Sequence, residues 1–453
     1  MTERVRWHAR WVVPIASPPI ADGTVVTEGS RILWVGARNE APAGGRDEEL
    51  GDSALTPGLV NAHTHLDLTA FRGVIDEPSF FGWIRALTRA RGELTPAEFE
   101  DAAQQGIAEG LAAGITTYAD TAPSDASFRA MLTMRVRGIA YHEVFGPDPD
   151  GAFDALEALH ERVVRTLPLA TALVRVGVSP HAPFSVSDAL FRAVAEYALR
   201  ESLPVAVHIA ESGAESEYVA RGTGQFADHL RGRGIAVAPR ASDPVALLAQ
   251  NGLLRAGTLL IHLVHADAAA VHRVAEGGCG VAHCPASNAW LHHGVAPLSE
   301  FLDARARVGL GSDSMASNDR MDILHEAALA ARAQAGRSDL AGRLIPPEPI
   351  SRAAQLRLAT LGGAEALGLD QEIGSLEEGK QADLAAFALD DGDLDRPMEA
   401  LLGRGSRSVR RLIIAGEERV RDAVVLGLDP RLSARVERVR ERLIKWRSSR
   451  PPG

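Results

Sequence analysis

Four apolar runs in this chain end abruptly in a histidine or an aspartate, and no other feature restricts its fold as much. Gly58-Leu59-Val60-Asn61-Ala62 leads into His63-Thr64-His65. Pro204-Val205-Ala206-Val207 leads into His208, and Thr258-Leu259-Leu260-Ile261 into His262. Arg307-Val308-Gly309-Leu310-Gly311-Ser312 leads into Asp313. Runs this apolar read as strands buried on both faces. A polar group buried at the end of such a strand costs several kcal/mol unless it has a partner. One shared ligand explains four such ends better than four separate accidents. Residues two apart on a strand face the same side, so His63 and His65 enter one pocket. Neutral imidazoles in that arrangement suit Zn²⁺ or Fe²⁺.

Candidate strands end at Val60, Tyr118, Tyr141, Val178, Val207, Ile261, Ala282 and Gly311, with amphipathic segments between them. One such segment has its start signals in place. Thr95 can cap, Pro96 suits the first helical position and Glu98 completes a capping box. Phe99, Ala103, Ile107 and Leu111 then form one stripe, and Gly114 stops the helix. Repeated βα units build either an open sheet or a closed barrel. In an open sheet of eight strands the edges lie about 30 Å apart, and ligands from the first, fifth and eighth strands would not meet. In a closed barrel the first and eighth strands are neighbours and all carboxyl ends share one mouth. The expected fold is therefore α/β, a (β/α)8 TIM barrel over residues 57–368. Residues 1–56 and 369–430 have a different texture, short strands broken by turns, and are expected to pair into a composite β-sandwich domain. That leaves 431–453 as a basic C-terminal helix or tail, whose charge a helix face explains more simply than a phosphate site.

The 453 residues carry 59 acidic and 48 basic side chains, a net charge of −11. This balance argues against a nucleic-acid partner. No apolar stretch approaches the length of a membrane span, and Met1–Trp7 lacks the apolar core of a signal peptide. Two cysteines, Cys279 and Cys284, cannot make a disulfide framework, so a cytoplasmic location is expected. The only lysines are Lys380 and Lys445, and no Gly-Lys-Ser/Thr triplet occurs. Schiff-base and pyridoxal chemistry and a P-loop are thereby disfavoured. The Pro-Cys-x-x-Cys zinc motif of cytidine deaminases is also missing. Cys284 reads as a small buried residue. His8, His160, His229, His272 and His325 read as structural, and His292 and His293 follow a loop and are ambiguous.

The stretch Thr56-Pro57-Gly58-Leu59-Val60-Asn61-Ala62-His63-Thr64-His65-Leu66 resembles the signature of the amidohydrolase superfamily. Ser179-Pro180-His181-Ala182-Pro183, His208-Ile209-Ala210-Glu211, His262-Leu263-Val264-His265, His283-Cys284-Pro285-Ala286-Ser287-Asn288 and Gly311-Ser312-Asp313 extend the likeness over nearly the whole chain. It is to the branch of deaminases and chlorohydrolases of nitrogen heterocycles. The resemblance implies one divalent metal ion, zinc with Fe²⁺ or Mn²⁺ also accepted, held by His63, His65, His208 and Asp313. It implies further that His262 orients the attacking water, that Asp313 takes its proton, and that Glu211 delivers a proton to the ring nitrogen. A raised pKa would suit Glu211 for that task. The fourth-strand region Val176-Gly177-Val178-Ser179-Pro180-His181 has no lysine to bridge two metals, so a single ion is expected. His181 and Glu143 are candidate substrate contacts, with Ser287 and Asn288 at the mouth.

Phe71 to Arg85 lacks the longer tryptophan–proline–glutamate loop of adenosylhomocysteine and methylthioadenosine deaminases. Together with Tyr141-His142-Glu143-Val144-Phe145-Gly146 and Gly222-Thr223-Gly224-Gln225-Phe226, it looks more like the aminodeoxyfutalosine deaminases of menaquinone biosynthesis. That substrate ends in a benzoate, for which Arg72, Arg85 or Arg89 would supply a guanidinium. The expected reaction is hydrolytic deamination of 6-amino-6-deoxyfutalosine with release of ammonia. Adenosylhomocysteine, methylthioadenosine or guanine deamination and triazine dechlorination are alternatives within the same fold. A dead barrel serving as a binding module is the non-enzyme alternative, opposed by the intact ligand set. The expected partner is a small heterocycle, with no nucleic acid and no membrane; a homodimer is compatible with the sequence.

Overall fold

The computed structural model describes residues 3–346, 350–403 and 408–449. The last residues of the expected tail, 450–453, lie outside them. The parallel strands Leu59–His65, Ile115–Ala122, Arg137–Val144, Val174–Pro180, Val205–Ile209, Thr258–His262, Gly280–His283 and Arg307–Leu310 hydrogen-bond in chain order. A short strand Asp313–Ser314 follows after Gly311 and Ser312 and pairs with the first strand, Asp313 against Thr64. One run of chain thus holds both ends of the curled sheet, in the manner of a TIM-barrel-like fold. A Cβ on Gly311 would lie 2.8 Å from both Cys284 Sγ and the His63 carbonyl, so glycine is what lets this run pass so close to the first strand. Seven of the eight expected strand ends fall inside these strands, and Gly311 follows Leu310 directly. The first strand runs on to His65 instead of stopping at Val60.

Helices cover the outside of the sheet. In Pro96–Ala112 the Thr95 hydroxyl accepts from the Glu98 amide and the Glu98 carboxylate accepts from the Thr95 amide. Ala103, Ile107 and Leu111 are buried against the sheet, each large side chain contributing about 1.5–3 kcal/mol by leaving water. Gly114 then turns the chain at φ +92°, where a Cβ would strike Phe387.

Both chain ends build a second sheet. Its strands are Arg4–Val12, Ile20–Glu28, Arg31–Ala37, Arg46–Glu49 and Ser53–Pro57, then Leu384–Ala388, Val409–Ile414, Glu417–Arg421 and Val424–Val425. Ser53–Pro57 pairs antiparallel with Leu384–Ala388, which joins the two ends. The expectation of a sandwich needs correction in one respect: hydrogen bonds connect all nine strands into one sheet. The reason is that Ser53–Pro57 leaves no free edge between the N-terminal and C-terminal sets. A bidentate ion pair anchors this sheet to the curled one. Arg137 Nε and Nη2 lie 2.6 and 3.0 Å from the Asp383 carboxylate, both side chains being buried.

The helix Leu432–Ser448 lays Leu432, Val436, Val439 and Leu443 into an apolar cluster with Leu68, Phe71, Val74 and Trp83. Its arginines meet acidic partners on the helix 96–112: Arg435 Nε is 2.7 Å from Asp101 and Arg442 Nη1 is 2.7 Å from Glu98. Among the described residues, no helix is long and apolar enough to cross a membrane.

Candidate active site

The carboxyl ends of the curled sheet bring together His63, His65, His208, His262 and Asp313. His63 Nε2 lies 3.3 Å and His65 Nε2 3.6 Å from Asp313 Oδ1. His65 Nε2 is 3.3 Å from His208 Nε2. The ligand atoms of His63, His65 and His208 lie within 4.8 Å of one another, as do those of His63, His262 and Asp313. Several of these positions hold strained backbone. Ala210, His262, Leu263 and Asp313 have φ of +51°, +76°, +52° and +55°. L-residues adopt that region only where the surroundings fix it, which is common at functional sites.

The hydrogen bonds around the imidazoles decide what fits between them. His65 Nδ1 faces the Thr121 carbonyl at 2.7 Å and His208 Nδ1 faces the His181 carbonyl at 3.3 Å. A carbonyl only accepts, so each Nδ1 donates and each Nε2 turns a lone pair inward. The Asp313 oxygen that faces them is also an acceptor. Among the described residues, neither nitrogen of buried His63 has a hydrogen-bond partner. Acceptors aimed at one point need a cation, and three imidazoles with one carboxylate are a donor set suited to zinc or iron. Burial pushes the His63 imidazolium down to about 4 and that of His208 well below its ordinary value. Burial opposes charge on His65 as well, but Glu143, Asp313 and Asp120 outweigh it and favour positive charge there.

Asp313 is fixed on its other side. Its Oδ2 accepts from Ser287 Oγ at 2.5 Å and Ser317 Oγ at 3.2 Å. His262 Nδ1 donates to Asn288 Oδ1 at 3.0 Å, which leaves Nε2 as an acceptor. That Nε2 is 3.6 Å from Glu211 Oε1. On the same oxygen, at 3.2 Å, stands His293 Nε2, the residue whose role the sequence left ambiguous. The expectation of a raised Glu211 pKa is corrected here. Burial does push it up, but His262 and His293 more than offset that and hold the carboxyl below its ordinary range.

Glu215 was not anticipated. Its oxygens accept from the Ala210 and Glu211 amides at 2.7 and 2.9 Å. The helix Gly213–Arg221 is capped by Ser212, so Glu215 occupies the capping-box position. It reaches past the cap to the two residues before it, one of them Glu211. Its only sequence signal was Ser-x-x-Glu, which reads as an ordinary helix start.

The cavity above these groups is walled by Leu68, Phe80, Trp83, Ile84, Phe145 and Phe184, with Glu143, His181 and Arg91 among its polar lining. His181 Nδ1 contacts Ser185 Oγ at 2.7 Å, and burial pushes its imidazolium down to about 3. Glu143 Oε1 is buried with no hydrogen-bond partner among the described residues, and burial raises its pKa. The arginine expectations need correction. Arg72 turns away to pair with Glu109, Arg85 is exposed over the Phe81 ring, and Arg89 is exposed. The cavity guanidinium is Arg91, paired with buried Asp67 at 2.8 Å. Helix phase is the reason: in Phe80–Arg91 the faces of Trp83 and Arg91 turn inward and that of Arg85 outward. Cys284 is buried, and burial pushes its thiol well up.

Residues 54–419 match the amidohydrolase family. A 5-methylthioadenosine/S-adenosylhomocysteine deaminase of Moorella thermoacetica is 32% identical over 380 residues, covering 82% of this chain and 83% of the relative. An 8-oxoguanine deaminase of Pseudomonas aeruginosa is 32% identical over 440 residues, covering 90% and 92%. Among solved structures, an adenosine deaminase of Xanthomonas campestris with bound zinc superposes with a TM-score of 0.84 at 28% identity, over 97% of this chain and 98% of that one.

Proposed function

Because the chain belongs to the amidohydrolase family, we propose that it is a divalent-metal-dependent hydrolytic deaminase of a 6-aminopurine nucleoside, built on a (β/α)8 barrel. The observation that carries this reading is the convergence of inward-facing acceptors from His63, His65, His208 and Asp313 at one point, beside Glu211 and His262. Those four residues would hold the ion. A bound divalent metal supplies Lewis acidity, which brings the pKa of water from about 15.7 to about 7.

The chain's own groups do the rest. His262, with Nδ1 committed to Asn288, offers Nε2 to hold the water over the amino-bearing carbon. Glu211 is ionised at rest, so it receives a proton from the water and hands it to the adjacent ring nitrogen. Asp313 takes the second proton and passes it to the departing amine. A C–O bond forms, the tetrahedral carbon collapses, the C–N bond breaks and ammonia leaves. The buried Glu143 carboxylate accepts from substrate hydroxyls, and His181 packs beside it.

Two nucleosides compete for the cavity. The aromatic wall of Phe80, Trp83, Phe145 and Phe184 would stack on the aryl group of 6-amino-6-deoxyfutalosine, in keeping with the sequence stretches that resemble its deaminases. Against this, the cavity guanidinium is already engaged by Asp67. An uncharged tail such as that of 5-methylthioadenosine needs no such cation, and the name of the Moorella relative supports it. Ammonia release from the zinc-loaded protein, tested on both nucleosides, S-adenosylhomocysteine, guanine and 8-oxoguanine, separates them. Turnover of either adenine nucleoside above the other purines supports the proposal, and release of ammonia from none of the panel overturns it.

A further inference from the structure

Glu326 is wholly buried, on the inward face of the helix Ile323–Gln334, and does not face the cavity. Its two oxygens go to two different segments, the short helix Pro285–Trp290 and the loop that follows Asp313–Ser314. Oε2 accepts from the Ala286 amide at 3.1 Å, and Oε1 accepts from Asn318 Nδ2 at 2.8 Å. Asn318 Nδ2 also donates to the Ser312 carbonyl at 2.9 Å, and Asn318 Oδ1 accepts from the Arg320 amide at 3.1 Å. Both ends of that amide are therefore fixed in orientation.

Each segment aims a group at the centre. Next to Ala286 stand Ser287, whose hydroxyl donates to Asp313 Oδ2, and Asn288, whose Oδ1 accepts from His262 Nδ1. One residue before Asn318 stands Ser317, whose hydroxyl donates to the same Asp313 oxygen. We propose that Glu326 is a positioning residue: its carboxylate clamps together the short helix and the loop whose side chains orient Asp313 and His262. The inference rests on the reading of those two residues given above.

The choice of glutamate follows from the donors. A backbone N–H and an amide NH₂ both need acceptors, and a carboxylate offers one on each oxygen. Glutamine, equal in length, would turn its own NH₂ against one of them. Burying a carboxylate is costly; burial works against ionisation of Glu326, and the N–H groups of Ala286 and Asn318 favour it. A residue kept here merely to fill space would be apolar.

Zinc affinity of the full-length protein, measured by competition with a chromophoric chelator, tests this together with Tm of the metal-free form. Removing outer hydrogen-bond partners of a metal ligand costs about 10–100-fold in metal affinity. Glu326→Gln is expected to show a loss of that order, and Ser287→Ala likewise. The double variant should lose less than the product of the two single losses, because both act in part through the Ser287 contact to Asp313. A folded Glu326→Gln with zinc affinity within about twofold of wild type overturns the proposal, as do losses that multiply in the double variant; twofold is well inside the 10–100-fold range. Should Glu326→Gln fail to fold, Asn318→Ala cuts the other arm of the clamp; the same loss supports the proposal and unchanged affinity overturns it. A wild-type protein that binds zinc yet releases no ammonia from any aminopurine refutes the deaminase reading and leaves this comparison decisive for Glu326.

Discussion

His65 Nε2 and His208 Nε2 face each other at 3.3 Å while the opposite nitrogen of each ring donates to a main-chain carbonyl. Two lone pairs at that distance repel unless a cation lies between them. The metal-free protein is accordingly less stable than the loaded one. Zinc at about 100 times its Kd should add about 2.7 kcal/mol. Scanning calorimetry with and without chelator reads this as a higher Tm for the zinc form; equal Tm values would contradict it.

Glu211 touches His262 and His293 and is ionised at rest. Glu211→Gln keeps the volume and removes the proton carrier. It should bind zinc as wild type does and lose about 10²–10⁴-fold in kcat. Metal content and ammonia release are measured together, and full turnover with full metal content would remove Glu211 from the proton path.

Glu143 offers the cavity a buried carboxylate oxygen with no hydrogen-bond partner among the described residues. Hydrogen bonds to charged groups are worth about 1.5–3 kcal/mol, so Glu143→Gln should raise KM by about tenfold or more. Its kcat should change less than its KM, because the proton transfers are assigned to Glu211 and Asp313. A fall in kcat at constant KM would assign it to the chemistry instead.

Burial holds His142 and His283 neutral, with pKa values pushed down to about 4 and about 3. The unfolded chain takes up protons at these residues as pH falls through about 6.5. The folded chain does not, so their stabilisation is fully present above that pH and is lost as pH falls through the folded values. Glu215, pushed up to about 8, works in the opposite sense: its contribution is complete below about 4.5 and is lost as pH rises from there through 8. Tm of the metal-free protein should therefore peak near pH 6.5 and fall towards both pH 4 and pH 8. His142→Gln should flatten the acid limb. A Tm that does not change from pH 6.5 to pH 4 would contradict the assignment.

The convergence of the candidate site was legible because its residues break a rule: His63, His208, His262 and Asp313 end runs too apolar to tolerate an unpaired polar group. Glu215 and Glu326 broke none. A glutamate in the first turn or two of a helix is common, and only the tertiary structure reveals that these two are buried and hold main-chain amides beyond their own helices. Arg72 and Arg85 failed for the converse reason. An arginine's partner is set by helix phase and by distant acids such as Glu109, neither of which local composition encodes. The strands of the two chain ends were readable as strands. That Ser53–Pro57 would pair with Leu384–Ala388, and so make one sheet of them, depends on a contact more than 300 residues apart in sequence.

The most direct test of the cage is diffraction from zinc-loaded crystals at the zinc absorption edge. One anomalous peak is expected, about 2.0–2.2 Å from His63, His65 and His208 nitrogens and an Asp313 oxygen. Two peaks, a peak held elsewhere, or no peak at these residues in a crystal that holds zinc would contradict the account.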